Sequence, residues 1–206
     1  MNINGSTHLK FRFLMPLVMV AAVATPLALA PDAQAIVHEW FIEEIYSDPT
    51  GDMQYVQLRN TGVPYEDQFS LAQLTSNSQQ FNFGSDLDDW NTTNRAVLVA
   101  TAAFAAHDGA VAPDYTLPDG FMDLTGDTIT FQADGFGIIN QFSYGPGDLP
   151  TDGLYALHVD DGIVLNAPTN FDGQTGFVPE PTTATLMLAA GALALLRRGR
   201  RAPGRR

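Results

Sequence analysis

The chain has 206 residues, contains no cysteine and carries a formal net charge of −13 at neutral pH. The absence of cysteine excludes a small disulfide-stapled fold and a cysteine nucleophile. The charge is unevenly distributed, because residues 36–177 contain only two basic residues, Arg59 and Arg95, against 21 acidic ones, which gives that stretch a net charge of −19. Such a surface repels phosphates, so nucleic acid is excluded as a partner.

The N-terminal stretch predicts a signal peptide over residues 1–35. Basic residues precede an apolar run at 13–30, and Ala33 and Ala35 form the small-x-small pattern that signal peptidase reads. Cleavage is expected after Ala35, because an earlier cut would leave Pro31 beside the scissile bond. An uncleaved N-terminal anchor is the alternative, since the apolar run is long enough to cross a bilayer.

Residues 36–177 predict one domain of short strands and turns. Gly, Asp, Pro and Asn recur at short intervals, and the apolar runs between them are brief. The pattern predicts one or two helical turns at 101–107 and strands at 37–46, 54–60, 69–74, 80–83, 95–100, 128–132, 138–144 and 154–158. Short strands in a domain of this size predict an all-β fold, an antiparallel sandwich of two sheets, with closure into a barrel as the alternative.

The domain shows no pattern typical of a catalytic centre. There is no Gly-x-Ser-x-Gly turn, and His38, His107 and His158 each stand alone in their local sequence. Glu43 and Glu44 are adjacent in a predicted strand, so their side chains are expected on opposite faces and unable to flank one substrate. We therefore expect no enzymatic activity, and a secreted hydrolase is kept only as the third hypothesis.

Two kinds of binding site stay open. Acidic loops at 86–89, 119–127 and 160–162 carry the oxygen ligands that Ca²⁺ prefers, but none has the spacing of a twelve-residue calcium loop. No cofactor is therefore assigned beyond weak Ca²⁺ binding. Aromatic rings offer flat apolar faces for sugars, and Trp90 lies among polar residues in a predicted loop.

The C-terminal stretch combines a short motif with an apolar run. Val178, Pro179, Glu180 and Pro181 precede residues 182–196, which are rich in Ala and Leu and predict a transmembrane helix. The proline after the glutamate suits the first turn of that helix, where its missing N–H has no partner to lose. At about 1.5 Å per residue the run reaches about 22 Å, short of the roughly 30 Å of hydrocarbon, so it suits temporary anchoring.

Arginines follow the apolar run directly, among them Arg197, Arg198, Arg200 and Arg201. Arginines beside a membrane helix stay on the cytoplasmic side, so the domain before the helix is expected to face outward. The order of motif, helix and arginines over residues 178–206 resembles the sorting signal of PEP-CTERM proteins. This resemblance implies that an exosortase-type enzyme recognises and processes the tail. It also implies a Gram-negative-type host, often one that makes extracellular polysaccharide. An ordinary C-terminal anchor is the alternative.

A second resemblance concerns the domain itself. Residues 41–49 and 55–62 are similar to the opening of lamin-tail-like domains, an I-x-E-I strand, a turn with Pro and Gly, and an E-[YF]-[IV]-E-L-x-N strand. Residues 95–100, 126–131 and 168–173 are similar to later segments of that family. Gln57 departs from the pattern, since an acidic residue is usual there. The resemblance implies an immunoglobulin-like sandwich used for binding and scaffolding.

Together these features predict an exported, non-catalytic component of the cell envelope or extracellular matrix, transiently anchored in the membrane. Its parts are a signal peptide (1–35), a β-sandwich domain (36–177) and a sorting tail (178–206). Signal peptidase and an exosortase-type enzyme are the expected partners, and exopolysaccharide is a further one. A carbohydrate- or Ca²⁺-binding surface module is the alternative function.

Overall fold

The computed structural model describes residues 37–176. The predicted signal peptide with its cleavage site, and the predicted sorting tail with its motif, membrane helix and arginines, lie outside the described residues. Between residues 37 and 176, no helix has both the length and the apolar character needed to cross a membrane.

The described residues form ten strands, one short α-helix and one 3₁₀ turn. The turn covers Phe69–Leu71 and the helix, α1, covers Ala102–Ala105. The strands are β1 (Trp40–Ser47), β2 (Gln54–Asn60), β3 (Ala72–Thr75), β4 (Gln80–Asn82), β5 (Ala96–Thr101), β6 (Tyr115–Leu117), β7 (Asp127–Ala133), β8 (Gly137–Tyr144), β9 (Tyr155–His158) and β10 (Gly162–Leu165).

The strands are arranged in two sheets. One has six strands in the order β10-β9-β1-β2-β5-β6, and the other has four in the order β4-β3-β7-β8. Neighbouring strands in both sheets are antiparallel, except β5 and β6, which are parallel. The expectation of a wholly antiparallel fold was therefore wrong at this edge. Helix α1 and the loop after it carry the chain back along the sheet, so that β6 runs in the same direction as β5.

The space between the sheets is filled by apolar side chains. The six-stranded sheet contributes fully buried residues from three of its strands, Ile42, Ile45, Val56, Leu58, Val97 and Val99. The four-stranded sheet contributes Leu74, Ile129 and Phe131. The Phe69 ring packs edge-on against Trp40 at 5.1 Å and Phe83 at 4.9 Å between ring centres. The two sheets thus enclose one core, which is the layering of a sandwich.

The opposite face of the six-stranded sheet is covered as well. Tyr46 and Tyr55 are fully buried there, and their rings stack at 5.1 Å. Phe104 from α1 packs edge-on against Tyr55 at 5.4 Å, together with buried Leu98 and Ala100. This outer face is thus a second, smaller core rather than a solvated surface.

Most of the predicted strands are found close to their expected positions. β2 has the predicted bounds, and α1 lies inside the predicted helical stretch. The strand predicted at 69–74 begins only at Ala72, because the chain first makes a tight turn in which Leu71 N–H donates to Gln68 O at 3.2 Å. β6 and β10 were not predicted.

Candidate functional site

Residues 166–176, here called the C-terminal strap, follow β10 and cross the outer face of the six-stranded sheet. Thr169 and Thr175 pair as an isolated antiparallel bridge, so the strap turns back on itself. Gly176, its last residue, donates its N–H to Pro168 O at 3.0 Å. The described chain therefore ends in a segment whose two arms are hydrogen-bonded to each other.

A β-bulge in β1 places Glu43 and Glu44 on the outer face together. The pairing of β1 with β2 shifts between Ile42 and Glu44, so that two residues of β1 occupy the space of one. Glu44 lies opposite Gln57, and Glu43 accepts a hydrogen bond from the same Gln57 amide at 2.6 Å. The expectation that these glutamates point to opposite faces was wrong, because it assumed a regular pleat.

Glu44 and Tyr55 form a buried pair under the strap. The Tyr55 hydroxyl donates to Glu44, and the Ala167 N–H of the strap approaches the same carboxylate oxygen at 3.5 Å. Glu44 is only 4% exposed, and burial raises its pKa. Burial, with the neighbouring carboxylate, also raises the pKa of Tyr55 well above its usual value. The Glu44–Tyr55 pair is therefore buried between the sheet and the strap.

Gln57 uses both ends of its side-chain amide. Its oxygen accepts the Thr169 N–H of the strap at 2.6 Å, and its nitrogen donates to Glu43. Glu43 also accepts from Arg59 Nε at 2.9 Å. A glutamate at position 57, as in the lamin-tail pattern, could not donate to Glu43 and would repel it. The departure from that pattern therefore has a structural reason in this chain.

Asp114 holds the strap at Phe171 by hydrogen bonds. Its carboxylate accepts the Phe171 N–H at 2.9 Å and the Leu98 N–H at 2.8 Å. Burial raises the Asp114 pKa to about 6, outweighing those two backbone hydrogen bonds. Arg95 Nη1 donates to Phe171 O at 2.8 Å. The N–H and the C=O of Phe171 are thus both hydrogen-bonded to side chains of the domain.

A polar cleft of about 310 Å³ adjoins the strap at Phe171. Its walls include Arg95, the rings of Tyr115 and Phe171, and five aspartates, Asp86, Asp88, Asp89, Asp114 and Asp172. One of the three acidic loops seen in the sequence, at 86–89, thus lies in the cleft wall. No group of three or more His, Asp or Glu side chains within residues 37–176 is placed to hold a metal ion.

The other two acidic loops are stabilised by hydrogen bonds within their turns. Asp123 accepts from the Thr125 N–H and hydroxyl, both at 2.8 Å, and these bonds lower its pKa. The N–H groups of Asp160 and Asp161 both donate to His158 Nδ1 at 3.2 Å. These aspartates occupy turns, where Asp and Gly are favoured residues.

The predicted loop tryptophan, Trp90, has an aromatic partner. Trp90 and Tyr65 are each 55% exposed, and their rings stack at 4.9 Å with 14° between the planes. The sequence gives no signal that would pair Tyr65 with a ring 25 positions away. The three histidines lie apart: His38 contacts Glu66 at 2.9 Å, His158 contacts Asp161 at 3.6 Å, and His107 follows α1.

The comparison with known protein families concerns the tail. Residues 177–201 match the PEP-CTERM protein-sorting motif. The match begins one residue after Gly176, so the sorting motif directly follows the strap. This confirms the PEP-CTERM resemblance of the tail and implies an exported, envelope-associated protein that an exosortase sorts. No curated protein matches the chain. The roles of single residues, including Val178–Pro181 and the arginines, stay predictions.

Proposed function

We propose that this protein is a non-catalytic passenger, an immunoglobulin-like domain of the lamin-tail type, which its tail delivers to the cell envelope or extracellular matrix. The observation that carries the proposal is the position of the sorting motif. It begins at residue 177, immediately after a strap that is hydrogen-bonded to the domain through Thr169 and Phe171. Processing near Pro179 would therefore leave the strap and its hydrogen bonds to the domain intact.

The polar residues of the outer face support a structural rather than a catalytic role. Glu43 and Glu44, the adjacent carboxylates, are bonded to Arg59, Gln57 and Tyr55 beneath the strap. Buried and paired carboxylates of this kind stabilise a fold, whereas a hydrolase needs two carboxylates facing a substrate. The net charge of −19 over residues 36–177 suits a soluble surface in a crowded exterior.

The ends of the chain complete the proposal. Signal peptidase removes residues 1–35 by cutting after Ala35, with Ala33 as the second small residue of the site. The apolar run at 182–196 holds the exported protein in the membrane until it is processed, and the arginines after it stay on the cytoplasmic side. The exosortase-type enzyme then cuts near Val178–Pro181, so the anchoring is transient.

The test is processing of motif variants in a host that makes the sorting enzyme. We expect Glu180→Ala and Pro179→Ala to retain the tail, measured as the intact mass of the membrane-bound protein. Asp172→Asn, at an exposed position just before the motif, is the control and should be processed like the wild type. Normal processing of both motif variants would contradict the proposal.

The arginines allow a separate test of topology. Replacing Arg197, Arg198, Arg200 and Arg201 together with glutamine should remove the charge that retains the tail inside the cell. We expect more full-length protein in the medium and less in the membrane fraction. An unchanged distribution would show that the arginines do not set the topology, while leaving the role of the motif intact.

A further inference from the structure

Tyr65 and Trp90 form an exposed aromatic platform on a strongly acidic domain. Each ring is 55% exposed, and the two lie nearly parallel at 4.9 Å. The hydrophobic effect favours the burial of large rings, and each side chain of this kind carries an apolar area of roughly 150–250 Å². The two rings stack on each other, so their outward faces are the flat apolar area that they offer to a ligand.

The platform is fixed in place before any ligand arrives. The Tyr65 N–H donates to Trp90 O at 2.8 Å, and the Thr92 hydroxyl donates to Val63 O at 2.9 Å, so the two loops are joined twice. Tyr65 has a φ of 67°, a left-handed conformation that is rare for a bulky residue. A platform held this firmly loses little conformational entropy on binding.

Polar groups stand beside the rings. Asp89, the neighbour of Trp90, forms part of the wall of the 310 Å³ cleft. Its side chain is 47% exposed and lies 3.9 Å from Arg95. Carboxylates accept hydrogen bonds from hydroxyl groups, and a guanidinium donates to them. Two exposed rings and a partly exposed carboxylate one residue before Trp90 match a sugar, which presents an apolar C–H face and a rim of hydroxyls.

The charge of the domain selects among sugars. A net charge of −19 over residues 36–177 repels acidic polysaccharides. This charge favours a neutral glycan over an acidic one.

We propose that Tyr65 and Trp90, with Asp89 beside them, form a binding site for neutral polysaccharide. This deepens the proposed function, because it rests on an exported domain that meets polysaccharide outside the cell. The glycan site and the proposed sorting function can fail separately, since binding is measured on the recovered protein whether or not its tail has been removed.

Tryptophan fluorescence of the protein recovered from its native host tests the site directly. The chain has two tryptophans, and Trp40 is 1% exposed, so a soluble quencher reports on Trp90. The probes are dextran, laminarin and galactomannan as neutral polysaccharides, polygalacturonate as the anionic one, and oligolysine as the basic peptide. We expect at least one neutral polysaccharide to protect Trp90 from quenching, and polygalacturonate to give no protection.

Substitutions then locate the site by calorimetry with the neutral polysaccharide that protects. Trp90→Ala and Tyr65→Ala should each weaken binding by about tenfold or more, the size expected for the loss of one stacking ring. Phe136→Ala, at a ring that is 54% exposed elsewhere, is the matched control and should bind like the wild type. Trp90→Phe keeps an aromatic ring and should retain part of the affinity. Partial affinity in this variant would show that the loss in Trp90→Ala comes from the missing ring and not from damage to the fold.

Three results would overturn the proposal. The first is that none of the neutral polysaccharides protects Trp90. The second is that Trp90→Ala binds as tightly as the wild type, which would place the glycan elsewhere. The third is protection by oligolysine alone, which would identify the platform as a site for basic peptides.

Discussion

The two faces of the six-stranded sheet are both buried, but by different means. The inner face is covered by another sheet through apolar contacts such as those of Val56 and Leu58. The outer face is covered by α1 and the C-terminal strap, and polar pairs such as Glu44–Ala167 and Gln57–Thr169 hold the strap in place. Apolar packing fixes the fold, whereas the polar pairs fix the segment that leads into the sorting motif.

This difference makes the outer face the more sensitive one to charge and pH. Apolar contacts keep their strength as carboxylates titrate, but a buried carboxylate changes partners and solvation with its proton. Variants of the two faces should therefore differ in the size of the loss and in its pH dependence.

The largest effect is expected in the inner core. Phe69→Ala removes a ring that contacts the Trp40, Phe83 and Phe131 rings at 4.9 to 6.0 Å. We expect a loss of about 3–5 kcal/mol in the free energy of unfolding, as for other large-to-small core changes. Urea unfolding measures it, and the loss should be the same at pH 5 and pH 7. A loss under 1 kcal/mol would contradict the description of the core.

The next largest effect is expected from Gln57→Glu, which introduces the acidic residue of the lamin-tail pattern. It places a second buried charge beside Glu43 and removes the donor of that pair. We expect the free energy of unfolding to fall by about 2–3 kcal/mol. This loss is smaller than that for an uncompensated buried charge, because Arg59 partly compensates the new negative charge. Gln73→Glu, on a partly exposed strand position, is the control and should change stability by about 0.5 kcal/mol or less. Equal losses in both would exclude the specific role of Gln57.

A smaller effect is expected from Tyr55→Phe. It leaves the buried Glu44 carboxylate without its hydroxyl donor, which costs about 1–3 kcal/mol. The loss should shrink as pH falls, because protonation removes the charge that lacks a partner. Tyr155→Phe, on β9, provides the control in urea unfolding at both pH values. A loss that does not depend on pH would mean that Glu44 is not the group affected.

The last effect appears in the pH profile of stability rather than in the stability at one pH. The Asp114 pKa is raised from 3.8 to about 6 in the folded protein, so between these pH values the folded state holds a proton that the unfolded state has lost. Its contribution to stability is therefore full below about pH 4 and is lost as pH rises through about 6. Asp114→Asn should flatten the unfolding free energy between pH 4 and 7 by an amount on the order of 2 kcal/mol. An unchanged profile would contradict the burial of this carboxylate.

The elements that could be predicted from the sequence are those whose pattern of apolar and polar residues lies within one continuous segment. β2 was predicted to its bounds because Val56 and Leu58 alternate with polar residues over a full strand. β6 was not predicted, because it has only three residues and forms through parallel pairing with β5. β10 has four residues, and its apolar Ile163 and Leu165 are exposed at the edge of the sheet.

The candidate sites depended on contacts that a single sequence cannot indicate. The bulge at Glu43 is set by the register with β2, and no glycine marks it. The strap contacts Thr169–Gln57 and Ala167–Glu44 join residues that are separated by 112 and 123 positions in the sequence. Nothing in the sequence around Thr169 points to Gln57. Trp90 was singled out by its polar neighbours, but its partner Tyr65 was not. The sorting tail was recognised because its motif, apolar run and arginines are contiguous.

The most direct test of the account is the intact mass of the protein recovered from its native host, with surface and medium fractions measured separately. Export and sorting predict a species that begins at Ile36 and ends near Pro179, so that both the signal peptide and the tail beyond the motif are absent. A recovered protein that still carries residues 182–206 would contradict sorting by an exosortase-type enzyme and would make the protein a simple membrane-anchored domain.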